Sequence, residues 1–430
     1  MTVTGRFVAL LLVGIVPVLV FPHYWVALLW VFGSIILMLA DLVAAGSTGA
    51  VTLLRLPSAP LRLGESGEST VVVVNTGRRR FRGRIKDSWQ PSAGASHNVH
   101  DVDLPPGERR TVSTTLTPTR RGDRLALRAT VRRPGPLGLA ATQHTRLLPG
   151  SVRALAPFNS RKHLPSRLAR LRQLDGRSAV RIRGQGTEFD SLRDYVEGDD
   201  VRSIDWRATA RRSSVVVRTW QPEKDRHIIL VLDTSRTSAG RVGDAPRLDA
   251  AMDAALLLAA LAAHAGDRVD LLAGDRIIHR RVVGVGRTSI LGQFVNAMTG
   301  LEPALLEADW PLLAAEVTKI SRQRALVVLL TPVEPAAVEE SLLAPLSVLA
   351  QRHKVIVASV RDPALDEMAG RRDDAEEVYQ AAAAARTLTL RARTETALGR
   401  IGVDVVDAEP EALPAALADR YLALKSRGLL

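Results

Sequence analysis

Two uncharged runs open the chain. Residues 7–21, FVALLLVGIVPVLVF, and residues 24–40, YWVALLWVFGSIILMLA, are separated only by Pro22 and His23. A membrane-spanning helix takes about 20 apolar residues, so with their flanks the two runs predict a tight transmembrane helical hairpin over residues 1–45. A cleaved signal peptide would account for the first run and leave the second unexplained. From about residue 50 the period changes. STVVVVNTG (69–77), RRTVSTTLTPT (109–119) and RLALRATVRRP (124–134) are short β-type runs bounded by Asn-Thr-Gly and Pro-Pro-Gly turns. Strands at this spacing with no helical period predict a small antiparallel β-sandwich over residues 50–158. Residues 159–226 read as a basic connector.

Residue 227 begins a third pattern, in which strands alternate with helices. HIILVLD (227–233), RVDLLAG (268–274), IIHRRVV (277–283), ALVVLLT (325–331), KVIVASV (354–360) and VDVVD (403–407) are the strand candidates. Helical stretches fall near 247–264, 289–299, 309–322, 335–351, 372–401 and 411–425. Wholly apolar runs such as HIILVLD suit strands buried on both faces, so residues 227–430 are expected to form a doubly wound parallel sheet. The fold class is α/β.

Charge sharpens this picture. The chain has 430 residues and a net charge of +13. Residues 51–150 carry 17 Lys and Arg against 7 Asp and Glu, residues 151–226 carry 17 against 10, and residues 227–430 carry 23 against 27. The balances, +10, +7 and −4, put the positive charge beside the apolar runs, as suits a basic face against anionic lipid. Basic residues are not interleaved with aromatics, and no nucleic-acid fold signature appears, so nucleic acid is not the expected partner. Arg6 precedes the first run, the turn holds only His23, and Arg is frequent after residue 50. The positive-inside rule therefore predicts an inner (plasma) membrane protein with two helices and a cytoplasmic soluble part.

The absence of cysteine excludes disulfides, thiolate nucleophiles and Cys-based metal sites. There is no P-loop, no H-E-x-x-H and no G-x-S-x-G, so a binding protein is expected rather than an enzyme. A hydrolase using the carboxylates of residues 188–205, and a membrane-proximal scaffold, are the alternatives. His97, His100, Asp101 and Asp103 lie in a Ser/Gly/Asn-rich stretch that reads as a solvated loop rather than a metal cluster.

Ligands of parallel sheets bind beyond the carboxyl ends of the strands, and one such end carries D-T-S-R-T-S from residue 233. Asp233, Ser235 and Thr237 resemble the D-x-S-x-S element of von Willebrand factor A domains. The resemblance implies a Mg²⁺ site completed by a distant Thr, for which Thr288 is the candidate, and a distant Asp. Thr331-Pro332 stands where that Asp is expected. The bland reading is that Asp233 and Ser235 cap a turn.

Residues 184–211, GQGTEFDSLRDYVEGDDVRSIDWRATAR, interleave acids with arginines. Gly184, Gly186, Glu188, Phe189, Leu192, Arg193, Tyr195, Gly198, Asp199, Asp200, Arg202, Ile204, Asp205, Trp206 and Ala208 to Arg211 closely resemble the signature of the family called domain of unknown function 58. PTRRGD (118–123) and RPGPLGLA (133–140) add to it. The resemblance implies a membrane-tethered protein with a von Willebrand A-like domain that works beside a MoxR-type AAA+ ATPase as an adaptor, with no catalytic residues to transfer. From the residues alone, the segment is either a partner surface built on Arg193, Arg202 and Arg211 or an ion-pair lattice docked beside HIILVLD through Trp206.

Overall fold

The computed structural model describes residues 2–181, 188–211, 214–221 and 226–430, with the backbone alone at 175–181, 188–191 and 219–221. The chain divides into two units, Met1–Leu155 and Ala156–Leu430. The stretch read as a connector thus falls in the second unit.

The first apolar run forms two short helices, α1 (Gly5–Val13) and α2 (Ile15–Val20), and the second forms α3 (Tyr24–Ala45). Among the described residues only α3, 22 residues with mean hydropathy 2.4, is long and apolar enough to cross a membrane. Proline has no N–H to continue a helical ladder, and Pro17 lies just beyond the break at Gly14. There the Gly14 N–H turns to Leu11 O. The Leu10 carbonyl instead accepts Trp30 Nε1 at 3.1 Å. A side chain on Gly14 would run into the Trp30 ring, so glycine is required by this close approach.

Seven main strands follow: β1 (Val51–Arg55), β2 (Gly67–Asn75), β3 (Phe81–Trp89), β4 (Val99–Leu104), β5 (Arg109–Leu116), β6 (Gly122–Pro134) and β7 (Ala140–Leu155). They form two sheets, β7-β6-β3-β4 and β1-β2-β5, with antiparallel pairing between these strands. Val51, Val71 and Val73 of one sheet share a core with Phe81, Ile85, Val102, Leu104, Ala129 and Val131 of the other. His100, Asp101 and Asp103 lie on β4 rather than in a loop, and both acids are paired with arginines of the neighbouring strand. Inside the sandwich Arg55 donates to both oxygens of Asp87, and Trp89 Nε1 and Thr114 Oγ1 donate to the same carboxylate.

Asp41, one turn before the end of α3, ties that helix to the sheet. Its carboxylate accepts the backbone N–H groups of Leu137 and Leu139 at 2.7 Å and of Ala140 at 3.0 Å. These belong to RPGPLGLA, and a side chain on Gly135 would collide with Asp41. This part of the motif is the socket of a buried carboxylate.

In the second unit, β8 (Glu188–Asp194) and β9 (Val216–Gln221) pair as a two-stranded antiparallel sheet of their own. The larger sheet holds β10 (His227–Asp233), β11 (Arg268–Gly274), β12 (Ile278–Val282), β13 (Leu326–Leu330), β14 (Lys354–Val360) and β15 (Asp404–Ala408), ordered β12-β11-β10-β13-β14-β15. All pairs are parallel except that of the edge strand β12, which runs antiparallel to β11. Ile229, Val231, Val327, Leu329, Val355 and Val357 project from one face into a core that includes Trp310, Leu313 and Val317 of the helix Trp310–Ile320. The helix Arg247–His264 is buried from Ala251 to Ala262 and packs on β10, β11 and β14.

Candidate functional site

Parallel strands deliver their carboxyl ends to one edge of the sheet, and the two central strands β10 and β13 bring Asp233 and Thr331 together there. Asp233 Oδ2 accepts the Thr331 hydroxyl at 2.7 Å and the Thr237 hydroxyl at 2.9 Å, while Oδ1 accepts the Ser235 N–H at 2.7 Å. Ser235 Oγ lies 3.1 Å from Thr237 Oγ1. Asp233, Ser235 and Thr331 are all buried. Beside them is a cavity of about 10 Å³, bordered by Glu307, Trp310, Pro332 and Ser341, which is room for a single water. One wall comes from the π-helical turn Val338–Leu342. Such turns occur as local insertions in α-helices and are frequent at functional sites.

Asp233, Ser235 and Thr237 therefore meet as the sequence suggests, and Thr288 does not join them. Because β12 runs antiparallel, it carries the chain back to the amino end of the sheet. The following loop is fixed there by Gly284 N–H to Asp270 and by Arg287 to Gly266 O. Thr331 supplies the third hydroxyl instead. The residues fit Mg²⁺ poorly. A hard cation prefers several anionic oxygens, yet this cluster offers one carboxylate, whose oxygens already accept three donors. Two other acids close by are engaged, Glu334 with Arg247 and Arg391, and Glu307 with Arg236. No group of three or more His, Asp or Glu able to hold a metal occurs among the described residues.

A second buried carboxylate, missed in the sequence, sits one residue away. Asp275 accepts Thr234 Oγ1 at 3.0 Å and the Ile277 N–H, and lies 2.8 Å from His279 Nε2. Burial pushes its pKa up, but the hydrogen bonds from His279 and Thr234 outweigh this and hold it below the usual carboxylate range. The signal for it was His279 alternating with Ile278 on an edge strand. The imidazole orients an acid here. Among the described residues it has no hydroxyl partner.

In the signature segment the charges pair locally. Arg193 binds Asp199 at 2.6 Å, and Asp199 also accepts the Val196 N–H. Asp200 accepts the Arg202 N–H, capping the turn Val201–Ser203. Asp205 caps the turn Trp206–Thr209 through the N–H groups of Arg207 and Ala208, and pairs with Arg218 at 2.8 Å. The Ala208 amide, with Arg218, holds Asp205 below the usual carboxylate range. Trp206 does not anchor the segment, being 69% exposed, and Val196 and Val201 are exposed beside Tyr195. Arg202 and Arg211 are exposed as well, Glu188 lies on the β8 backbone, and Gly184 and Gly186 lie outside the described residues.

Comparison with known proteins covers this same stretch. Residues 191–400 match the family described as "Protein of unknown function DUF58". The match takes in most of the two-stranded segment, the Asp233 site and the central strands. Over 186 residues the chain is 27% identical to uncharacterized protein Rv1480 of Mycobacterium tuberculosis and to uncharacterized protein Mb1516 of Mycobacterium bovis, covering 42% of this chain. It spans 57% of the length of those relatives. Among solved structures, the PapD-like domain 7 of human CEP192 (17% identity, 24% of this chain and 84% of that one) has a TM-score of 0.17. A FixG-related protein from Vibrio parahaemolyticus (9% identity, 25% and 98%) also scores 0.17. Likenesses this slight bear on neither fold nor activity.

Proposed function

We propose that the chain is a non-catalytic, membrane-anchored adaptor whose second unit is von Willebrand A-like and presents the strand ends around Asp233 to a protein partner, a MoxR-type AAA+ ATPase. The observation that carries this reading is the buried Asp233 carboxylate held by three donors at the mouth of the central strands. A carboxylate so satisfied serves as a rigid acceptor, and its hydroxyl neighbours are engaged with it rather than with a base. The two apolar runs form the anchor, a two-helix hairpin, and the excess of Arg after residue 50 supports a cytoplasmic location for both units. The docking contact is metal-free in this reading, since the donor set lacks a second available carboxylate.

Exposed Trp206, Val196 and Val201 beside Arg202 and Arg211 offer a second face to the same partner. Pull-downs of the ATPase with wild type, Asp233→Ala and Arg202→Ala, each with and without EDTA, test the proposal. Loss with Asp233→Ala and indifference to EDTA are expected. Equal recovery in every condition would exclude both surfaces, and no recovery with wild type would remove the adaptor reading.

A further inference from the structure

Five arginines meet where α1 joins the sandwich. Arg6, Arg82, Arg84, Arg110 and Arg132 line a cleft of about 700 Å³ that also includes Asp101 and Asp103. That volume is in the range of small-ligand sites, and the side chains leave it three positive charges in excess. The compensation inside it is partial. Arg84 is paired with Asp101, while Arg82 shares Asp103 with Arg80, which takes both carboxylate oxygens. Among the described residues Arg6, Arg110 and Arg132 have no side-chain hydrogen bond or ion pair.

Strand register makes the excess a built feature. Arg84 stands directly opposite Arg132 across β3 and β6, and like charges so placed repel. The amino end of α1 adds to the field: Thr4 lines the cleft, but its hydroxyl donates to Gly138 O and Leu139 O and leaves the helix without a side-chain cap. Uncapped N–H groups at a helix start favour an anion.

Position selects the anion. The uncharged run starts at Phe7, immediately after Arg6, and Asp41 fixes the end of α3 to the 137–140 loop that borders the same cleft. If the apolar helices enter the bilayer, the cleft stands at headgroup depth. We propose that it binds the phosphate of an anionic phospholipid, whose oxygens the arginine forks of Arg110 and Arg132 grip. This rests on the membrane-anchor reading. A cleft with so few acids disfavours a zwitterionic headgroup, whose ammonium would find little to pair with.

The test uses the full chain, stripped of lipid in uncharged detergent and examined by native mass spectrometry with phosphatidylglycerol or phosphatidylcholine, with and without inorganic phosphate. Wild type should retain phosphatidylglycerol selectively. Arg110→Gln/Arg132→Gln should retain it roughly thirtyfold less, from the usual contribution of two basic residues at a lipid surface. Arg109→Gln/Arg128→Gln, equal in charge but outside the cleft, should behave as wild type. Equal retention by both double variants, or equal retention of the two lipids, would overturn the proposal. Displacement by inorganic phosphate at the lipid's own concentration would make the source soluble phosphate and overturn the lipid assignment. Alkaline carbonate extraction of membranes separates the two readings: release of the chain refutes the anchor, whereas a retained chain without lipid selectivity refutes the cleft alone.

Discussion

Asp233 and Thr331 should be energetically coupled, so that the effect of Thr331→Val changes sign once Asp233 is removed. In wild type the Thr331 hydroxyl gives one of two hydrogen bonds to Oδ2, at 2.7 Å, and Thr237 gives the other at 2.9 Å. Hydrogen bonds to charged groups contribute about 1.5–3 kcal/mol. Thr331→Val keeps the shape and loses the donor, so it should destabilise the strand ends by about that amount. Asp233→Ala removes the acceptor of three donors and strands the hydroxyl of Thr331, a residue only 4% exposed. Each buried orphan costs about 1–3 kcal/mol. In that background Thr331→Val deletes an orphan and should be neutral or stabilising.

The readout is hydrogen exchange at single-residue resolution in the full chain, at the Ser235 amide and the amides of β10. The Ser235 N–H is bound to Asp233 Oδ1, so its exchange should accelerate about 10- to 100-fold in Asp233→Ala, at 1.4 kcal/mol per tenfold. Thr331→Val should accelerate the β10 amides about 10- to 100-fold in wild type and leave them unchanged or slower in the Asp233→Ala background. Adding Mg²⁺ should alter neither rate. A coupling energy below about 0.5 kcal/mol, the scatter expected of independent sites, would refute the claim that these two side chains form one unit.

Pro332→Asp places a second carboxylate beside Thr331, and calorimetry should detect Mg²⁺ binding to this variant and not to wild type. Arg55→Ala leaves Asp87 charged and buried in the sandwich, with an expected loss of about 3–5 kcal/mol in denaturant unfolding. Arg55→Leu/Asp87→Leu should cost less than the single change, because no unpaired charge remains. Asp270 and Asp275 are each pushed up by burial, but hydrogen bonds, chiefly from His227 and His279 respectively, hold both below the usual carboxylate range. Their contribution to stability is therefore present above that range and lost as pH falls through the lowered values, so circular dichroism should show acid loosening of the second unit that Asp270→Asn/Asp275→Asn makes shallower.

Much of the second unit was legible because buried parallel strands are continuous apolar runs. HIILVLD, RVDLLAG and KVIVASV coincide with β10, β11 and β14 to the residue. Strand direction was not legible. IIHRRVV has the length of a buried strand, and its adjacent Arg280 and Arg281 fit an edge strand of either sense. Direction fixed where the next loop went, so the misplacement of Thr288 followed from it. Cross-strand partners were equally hidden: Arg218 lies 13 residues beyond Asp205, and the two meet where Ile204 bridges Val217 and the Asp205 N–H donates to the Val216 carbonyl. Trp206 read as an anchor because large aromatics are usually buried, but it lies on a four-residue turn whose Asp cap, rather than packing, fixes it.

The absence of an acid at position 332 gains meaning from Thr331. A second carboxylate there would stand next to Asp233 with no cation side chain to separate them, since Arg247 and Arg391 are already held by Glu334. Two like charges so close raise each other's pKa unless a metal or a donor intervenes. A hydroxyl resolves the conflict by donating to Asp233, and Pro332, with no N–H, adds no competing donor. At these strand ends the Asp233 carboxylate is thus stabilised by the hydroxyl hydrogens of Thr237 and Thr331. If the proposed partner docks there, it meets a surface whose carboxylate is buried, so this contact should depend less on salt than one made through Arg202 and Arg211.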